Sequence, residues 1–282
     1  MYRNPFSIDY LFLEDGVEHE RNEVDMNQRE FIELNDENIE EQHICCAISD
    51  KKSKQGYLNK KKWLKTQFKN GYHFRKLDVR GKVFIEYQPA KEAWVPLDAD
   101  GYMLINCFWV SGKFKNQGYG KSLLESCLED AKEMKGTVVI TGDKKKPFMG
   151  DPKFFAKHGF ECVDQAKPHF QLWCKKNDPQ TPSPSFLKGT KSGECPEKKG
   201  IVAYYSSACP FTEFYIAGEL KAYAEAKKIP FKGIKITSKK DAKKLPLPWV
   251  INSVFYKGKF FSHEMKVSKK LDTFIEENAK DD

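Results

Sequence analysis

The chain has 282 residues, of which 40% are hydrophobic and 13% aromatic, with a formal net charge of +8. That composition excludes a disordered or fibrous protein, and the length suits one large domain or two ordinary ones. No apolar run approaches the ~20 residues needed to span a bilayer, and the early patch "YLFLEDG" is too short and too quickly acidic for a signal peptide. A soluble, cytoplasmic protein without a membrane partner is expected.

The charge is unevenly placed. Residues 1–29 carry three arginines against seven acids, so the basic excess lies downstream, in scattered lysines and short runs such as "NKKKW" and "DKKKPF". A nucleic-acid binder concentrates basic residues on one face with interleaved aromatics, so no nucleic-acid partner is expected. Solvated faces and affinity for a phosphorylated small ligand fit better. The eight cysteines contain no CxxC, which removes a zinc ribbon and a dithiol redox centre and leaves reduced thiols with no metal site.

In chain order, the leader 1–29 shows no period and is expected to be loosely ordered and dispensable. "FIEL" reads as a strand, and "ENIEEQHICCAI" as a helix capped by Asn35 or Asp36. "YLNKKKWLKTQFKNG" places Tyr57, Leu58, Trp63, Leu64 and Phe68 near one helical face, closed by Gly71. "YHFRKLDV" and "GKVFIEYQP" are strands turning at Arg80–Gly81, and "DGYMLINCFWV" is apolar enough to be central in a sheet. An amphipathic helix with Leu123, Leu124, Cys127, Leu128 and Ala131 follows, then the strand "TVVIT", a short helix at "DPKFFAKHGF", and two closing strands.

The segment "NDPQTPSPSFLKGTKSGECPEKKG" is poor in apolar residues and rich in proline, so it reads as a linker. Beyond it come a strand, a cysteine-containing turn, a helix, the strand "FKGIKI", a hairpin turning at Lys257–Gly258, and a last helix. The expected organisation is a leader at 1–29, a first α/β unit at 30–176, a linker at 177–199 and a smaller α/β unit at 200–282.

One stretch carries the chemistry. "WVSGKFKNQGYGKSLL" puts Gly118 and Gly120 between a strand and a helix. A helix N-terminus leaves amides unpaired and carries about half a positive charge, so small residues there let an anion reach the backbone. Lys113, Lys115 and Lys121 add charge. The first unit resembles the GNAT superfamily of acyl-CoA-dependent N-acetyltransferases over about 30–176. The family pattern is a strand ending in Val, then Arg/Gln-x-x-Gly-x-Gly/Ala opening a helix, and later an apolar pair before x-x-x-Gly-Phe. Here these stand as Val110, then Lys115-Asn116-Gln117-Gly118-Tyr119-Gly120, and Phe154-Phe155-Ala156-Lys157-His158-Gly159-Phe160.

The resemblance implies a GNAT-type mixed sheet with helices and acetyl-CoA as cosubstrate. It implies cofactor contacts at Phe108, Trp109, Val110, Lys115, Asn116, Gln117, Gly118, Tyr119, Gly120, Lys121 and Ser122, and a small-molecule amine as acceptor. Lys115 departs from the usual Arg or Gln but keeps its charge. Phe155 stands where many relatives place a tyrosine that protonates the departing thiolate, and phenylalanine has no proton to give. Glu86, on the strand before the cofactor strand, is the candidate general base; a solvent-facing strand residue is the plainer reading. His158 and His73 are weaker candidates.

"YYSSACPFTEFY" resembles the active-site turn of thioredoxin-like proteins, especially one-cysteine glutaredoxins. Cys209 is then a catalytic sulfur at a helix N-terminus with a lowered pKa, Thr212 replaces the resolving cysteine, and Pro248 stands where that fold has a cis-proline. Cys195 lies close enough in sequence to pair with it. Together the two units resemble the YoaP-type proteins of bacteria after residue 29, which implies an N-acetyltransferase whose tail presents substrate or regulates. A non-catalytic acyl-CoA sensor or adaptor, and a thiol-redox module using Cys209, are the other readings.

Overall fold

Apolar strands of the N-terminal half stack into a seven-stranded sheet in this computed structural model, which describes residues 30–266 and 268–278. The leader 1–29 lies outside the described residues. In chain order the first elements are β1 (Phe31–Glu33), α1 (Lys54–Phe68), β2 (His73–Leu77), β3 (Val83–Pro89), β4 (Leu97–Asp98) and β5 (Tyr102–Val110). Then come α2 (Tyr119–Asp130), β6 (Gly136–Gly142), α3 (Pro152–Lys157), β7 (Glu161–Ala166), β8 (Phe170–Lys176) and β9 (Ser185–Phe186). The last third holds β10 (Ile201–Ser206), a π-helical stretch Glu213–Leu220 running into α4 (Lys221–Ala226), and β11 (Phe231–Ile236). It ends with α5 (Lys239–Ala242), β12 (Asn252–Tyr256), β13 (Lys259–Ser262) and α6 (Ser268–Asn278).

The large sheet has the order β1-β2-β3-β5-β6-β8-β7, so β5 is its middle strand, as its unbroken apolar run requires. Only β5 and β6 are parallel, joined by a crossover through α2. Their pairing runs from Tyr102↔Gly136 to Ile105↔Val139 and stops, while β5 continues to Val110 along β3. The strands therefore splay. On the other side, the β3–β5 register shifts between Glu86↔Cys107 and Tyr87↔Ile105, leaving Asn106 as an extra residue, a β-bulge.

Helix α2 buries Tyr119, Leu123, Leu124 and Cys127, the face that its spacing predicts. Its C-terminus is tied down by Asp130, which accepts from Tyr87 Oη at 2.5 Å and Arg75 Nη2 at 3.2 Å. Asn177 Nδ2 donates to the last carbonyls, Ala131 O at 2.8 Å among them.

Two local expectations are corrected. Residues 36–47 form turns and bends rather than a helix, with Cys45 and Ala47 at φ +61° and +56°, values that no helix contains. In α1, Leu64 is buried and Tyr57, Trp63 and Phe68 pack on the same core as the spacing predicts, but Leu58 is 43% exposed and Lys60 is buried. The hairpin at Lys257–Gly258 forms as its sequence implies, with φ +47° and +80°.

The second sheet has the order β11-β10-β12-β13, with β10 parallel to β11 and antiparallel to β12. The chain between the two sheets is packed. β9 pairs with β4 through Leu97↔Phe186, and Cys195 is 1% exposed. One apolar cluster runs from Leu104, Val138, Ile140 and Phe170 to Val202, Leu247, Trp249 and Phe255, so both sheets share a core. Among the described residues, no helix is long and apolar enough to cross a membrane, and no group of three His, Cys, Asp or Glu residues could hold a metal.

His169 and His263 meet where the sheets join, with ring centroids 5.1 Å apart. Burial, together with the neighbouring His263, lowers the pKa of His169 to about 4; burial lowers His263 as well. A folded pKa below the unfolded ~6.5 means that the unfolded chain binds more protons in acid. The contribution of these rings to stability is thus present above pH ~6.5 and lost as pH falls toward about 4. Melting curves should show a midpoint falling across that window, and His169→Phe should flatten the fall. An unchanged slope would contradict the assignment.

Candidate active site

The glycine loop leaves β5 through a 3₁₀ turn at Gly112–Phe114 and reaches α2 through Asn116 at φ +61° and Gly118 at φ +81°. Gly118 is the N-cap, and the left-handed conformation explains the glycine: another residue there adds about 1–2 kcal/mol of strain. Gly120 has a different reason. A Cβ on it would lie 3.5 Å from Phe108 and 3.6 Å from Phe154, ordinary contact distances, so this position keeps a bare surface rather than a special backbone angle.

No side chain caps α2, and its first intrahelical bond runs from Ser122 N–H to Gly118 O at 3.1 Å. The amides of Tyr119, Gly120 and Lys121 precede that bond and have no intrahelical acceptor. Lys115 and Gln117 flank them, and Gln117 Nε2 donates to Lys113 O. Phe108, Trp109 and Val110 lie on the part of β5 beyond its pairing with β6. Between β5 and the first turn of α2, Lys115, Asn116, Gly118 and Lys121 are exposed and Tyr119 is buried.

A slot of about 10 Å³ opens at the splay, lined by Cys107, Phe108, Ile140, Phe148, Phe155 and Trp249 among others. The Phe155 ring is fully buried against Phe108 and Phe160, so it is a wall and no proton source. Behind the bulge lies a larger cavity of about 50 Å³. Trp63, Tyr72, Glu86, Gln88, Trp94, Asn106 and Cys107 form one side of it, and Ser206, Ala208 and Pro248 to Ile251 form the other. Asn106, Cys107, Ile140 and Trp249 line both spaces, so slot and cavity adjoin at the bulge.

Glu86 is 1% exposed. Its Oε1 accepts from Lys60 Nζ and its Oε2 from Tyr72 Oη, both at 2.5 Å. Burial opposes the charge on Lys60, yet the Glu86 carboxylate outweighs it and holds the ammonium above its ordinary pKa. Burial and the same carboxylate push the Tyr72 hydroxyl well up. Sequence reasoning found Glu86 but not Lys60 or Tyr72, because a lysine on an amphipathic helix reads as solvated.

Four buried polar atoms of cavity-lining residues have no partner: Trp63 Nε1, Gln88 Oε1, Asn106 Nδ2 and Trp249 Nε1. Each unsatisfied group costs about 1–3 kcal/mol, a cost that a bound molecule can remove. Gln88 Nε2 donates to Asn106 Oδ1 at 3.5 Å.

Cys209 packs beside this site. The carbonyl of Pro210 lies 2.0 Å from where a Cβ on Gly56 would stand, so α1 closes directly on the turn that holds Cys209. The expected lowering of its pKa is not met: burial pushes the thiol up to about 12, and the effect of Cys46 adds to it. Loss of water outweighs the pull of the helix end. Cys195 does not pair with it; all eight cysteines are free, and Cys195 Sγ lies 3.6 Å from Tyr204 Oη. Pro248 is not preceded by a cis bond, for the cis peptide among the described residues is Lys167–Pro168. Alkylation at pH 7 with peptide mapping should label the exposed Cys162 well before Cys209; the reverse order would contradict this burial.

Residues 36–160 match the acetyltransferase (GNAT) family, and residues 230–273 match the YoaP-like family. The chain is 42% identical over 247 residues to a Bacillus subtilis (strain 168) protein described as an uncharacterized N-acetyltransferase, YoaP, covering 87% of this chain and 98% of the relative. A solved PaiA N-acetyltransferase of Thermoplasma acidophilum, in complex with coenzyme A, is 15% identical. It covers 52% of this chain and 98% of its own, with a TM-score of 0.37. A Brucella melitensis GNAT family acetyltransferase in complex with acetyl-CoA is 16% identical over 56% of this chain and 96% of its own, with a TM-score of 0.35. The Bacillus subtilis relative matches nearly the whole of both chains, and by that match this chain belongs to the GNAT family of N-acetyltransferases.

Proposed function

We propose that the chain transfers the acetyl group of acetyl-CoA to a small-molecule amine held between its two sheets. The observation that carries this reading is the adjacency of the splay slot and the larger cavity at the bulge, below an uncapped helix N-terminus. The pyrophosphate rests on the amides around Gln117 to Lys121, helped by Lys115 and Lys121. The thioester lies along Phe108 to Val110, where β5 still pairs with β3 but has parted from β6.

Glu86 takes the ammonium proton, directly or through water; each carboxylate oxygen keeps acceptor capacity beyond its one hydrogen bond. The freed nitrogen attacks the thioester carbonyl, the C–N bond forms, the C–S bond breaks, and CoA leaves as thiolate. The nitrogen, cationic once bonded to the carbonyl carbon, gives up its second proton, and since Phe155 has no proton to give, water relays that proton to the thiolate.

Gly120→Glu places a carboxylate where the pyrophosphate rests, in a position that tolerates the added Cβ. Acetyl-CoA affinity measured by calorimetry should fall at least tenfold, about 1.4 kcal/mol, in a folded variant. Unchanged affinity would remove the pyrophosphate from this loop.

A second reading gives the C-terminal half a thioredoxin-like architecture with thiol chemistry at Cys209. The strand order β11-β10-β12-β13, with Cys209 in the turn between β10 and the next helix, supports it; the raised pKa of Cys209 weighs against a reactive thiolate.

A further inference from the structure

The cavity behind the bulge offers enough chemistry to name the class of amine, and this inference rests on the acetyl-transfer reading above. Its volume of about 50 Å³ suits a small molecule rather than a peptide or a polyamine lying wholly inside. Three of the five tryptophans, Trp63, Trp94 and Trp249, line it. Trp63 meets Tyr72 edge-on at 5.2 Å and Trp94 at 6.0 Å, making an aromatic wall suited to an ammonium and a short apolar side chain.

The polar atoms divide into two groups. Trp63 Nε1, Trp249 Nε1 and Asn106 Nδ2 are N–H donors without acceptors, and Gln88 Oε1 is an acceptor without a donor. The Gln88–Asn106 pair presents one donor group and one acceptor whichever way both amides are turned, so the count does not depend on their assignment. The single full charges present, Glu86 and Lys60, neutralise each other. A ligand that satisfies this set has two oxygen atoms to accept from three N–H groups and an ammonium to donate to Gln88 and Glu86.

We infer that the acceptor is a small α-amino acid whose carboxylate is held by indole and amide N–H groups, with Trp249 of the C-terminal half completing the site. Trp249, in the segment before β12, is 6% exposed and lines both the slot and the cavity, so the C-terminal half supplies specificity where the N-terminal half supplies the acetyl donor. This gives the C-terminal half a role in recognition that needs no thiol chemistry.

The test uses pairs of probes that differ by one carboxylate: L-alanine and ethylamine, L-serine and ethanolamine, L-valine and isobutylamine. Binding to the full chain saturated with CoA is measured by calorimetry, and acetylation of the same probes by mass spectrometry. Each amino acid should bind at least tenfold more tightly than its partner, and Trp249→Phe, which keeps a ring but loses the N–H, should shrink that ratio severalfold. Asn106→Leu provides the same test if the tryptophan variant fails to fold. Equal binding within each pair, no binding of any amino acid, or a ratio unaffected in a folded variant would overturn the inference. Acetylation of amines irrespective of the carboxylate would overturn it while leaving the transfer reading intact. Selective binding without acetylation would uphold the site and defeat the transfer reading.

Discussion

Lys60→Met is expected to destabilise the fold by about 3–5 kcal/mol, because it leaves the Glu86 carboxylate buried without its cation. Both side chains are almost wholly removed from water, 2% and 1% exposed, and each was desolvated on folding against the other's charge. The pair is therefore worth little more than a well-packed apolar pair of the same size, but half of it is costly. Lys60→Met combined with Glu86→Gln should recover most of the loss. Urea unfolding of the two variants checks this; a single variant within about 1 kcal/mol of the parent would show that water reaches Glu86.

Glu86→Gln is expected to lower turnover about a hundredfold or more at saturating acetyl-CoA and amine, the usual scale for losing a general base. Glutamine keeps the shape and one acceptor oxygen but leaves Lys60 without its counter-charge, so rates are compared under conditions where the variant is shown to be folded. Affinity for acetyl-CoA should not change, since the carboxylate lines the larger cavity, which no residue of the glycine loop lines. Wild-type rates in a folded variant would assign the proton to water or to another group.

The glycine loop between β5 and α2 was legible in the sequence because its signals are local. A strand, two glycines and an amphipathic helix follow one another within a few residues, and Gly118 then takes the backbone angle that only glycine adopts readily. The hairpin at Lys257–Gly258 was legible for the same reason. The larger cavity was not, because it joins residues from α1, β3, β5 and the segment 248–251, whose proximity depends on a shared core. Lys60 illustrates the difficulty: periodicity sorts apolar from polar residues and has no way to mark a lysine that finds a buried carboxylate 26 positions away. Cys209 failed for a related reason. Its helix-end position is a local feature, but α1 closing over it through Gly56 is not, and the resulting desolvation decides its pKa.

The central claim is that this chain moves an acetyl group from acetyl-CoA to an amine bound between its sheets. The most direct measurement incubates the full chain with acetyl-CoA carrying a ¹³C-labelled acetyl group and the amino-acid probes, and follows products by mass spectrometry. The account predicts an N-acetylated probe bearing the label, formed in equal amount with free CoA and reduced about a hundredfold by Glu86→Gln. Acetyl-CoA that binds but stays intact with every probe, or CoA released with the label recovered only as acetate, would contradict it.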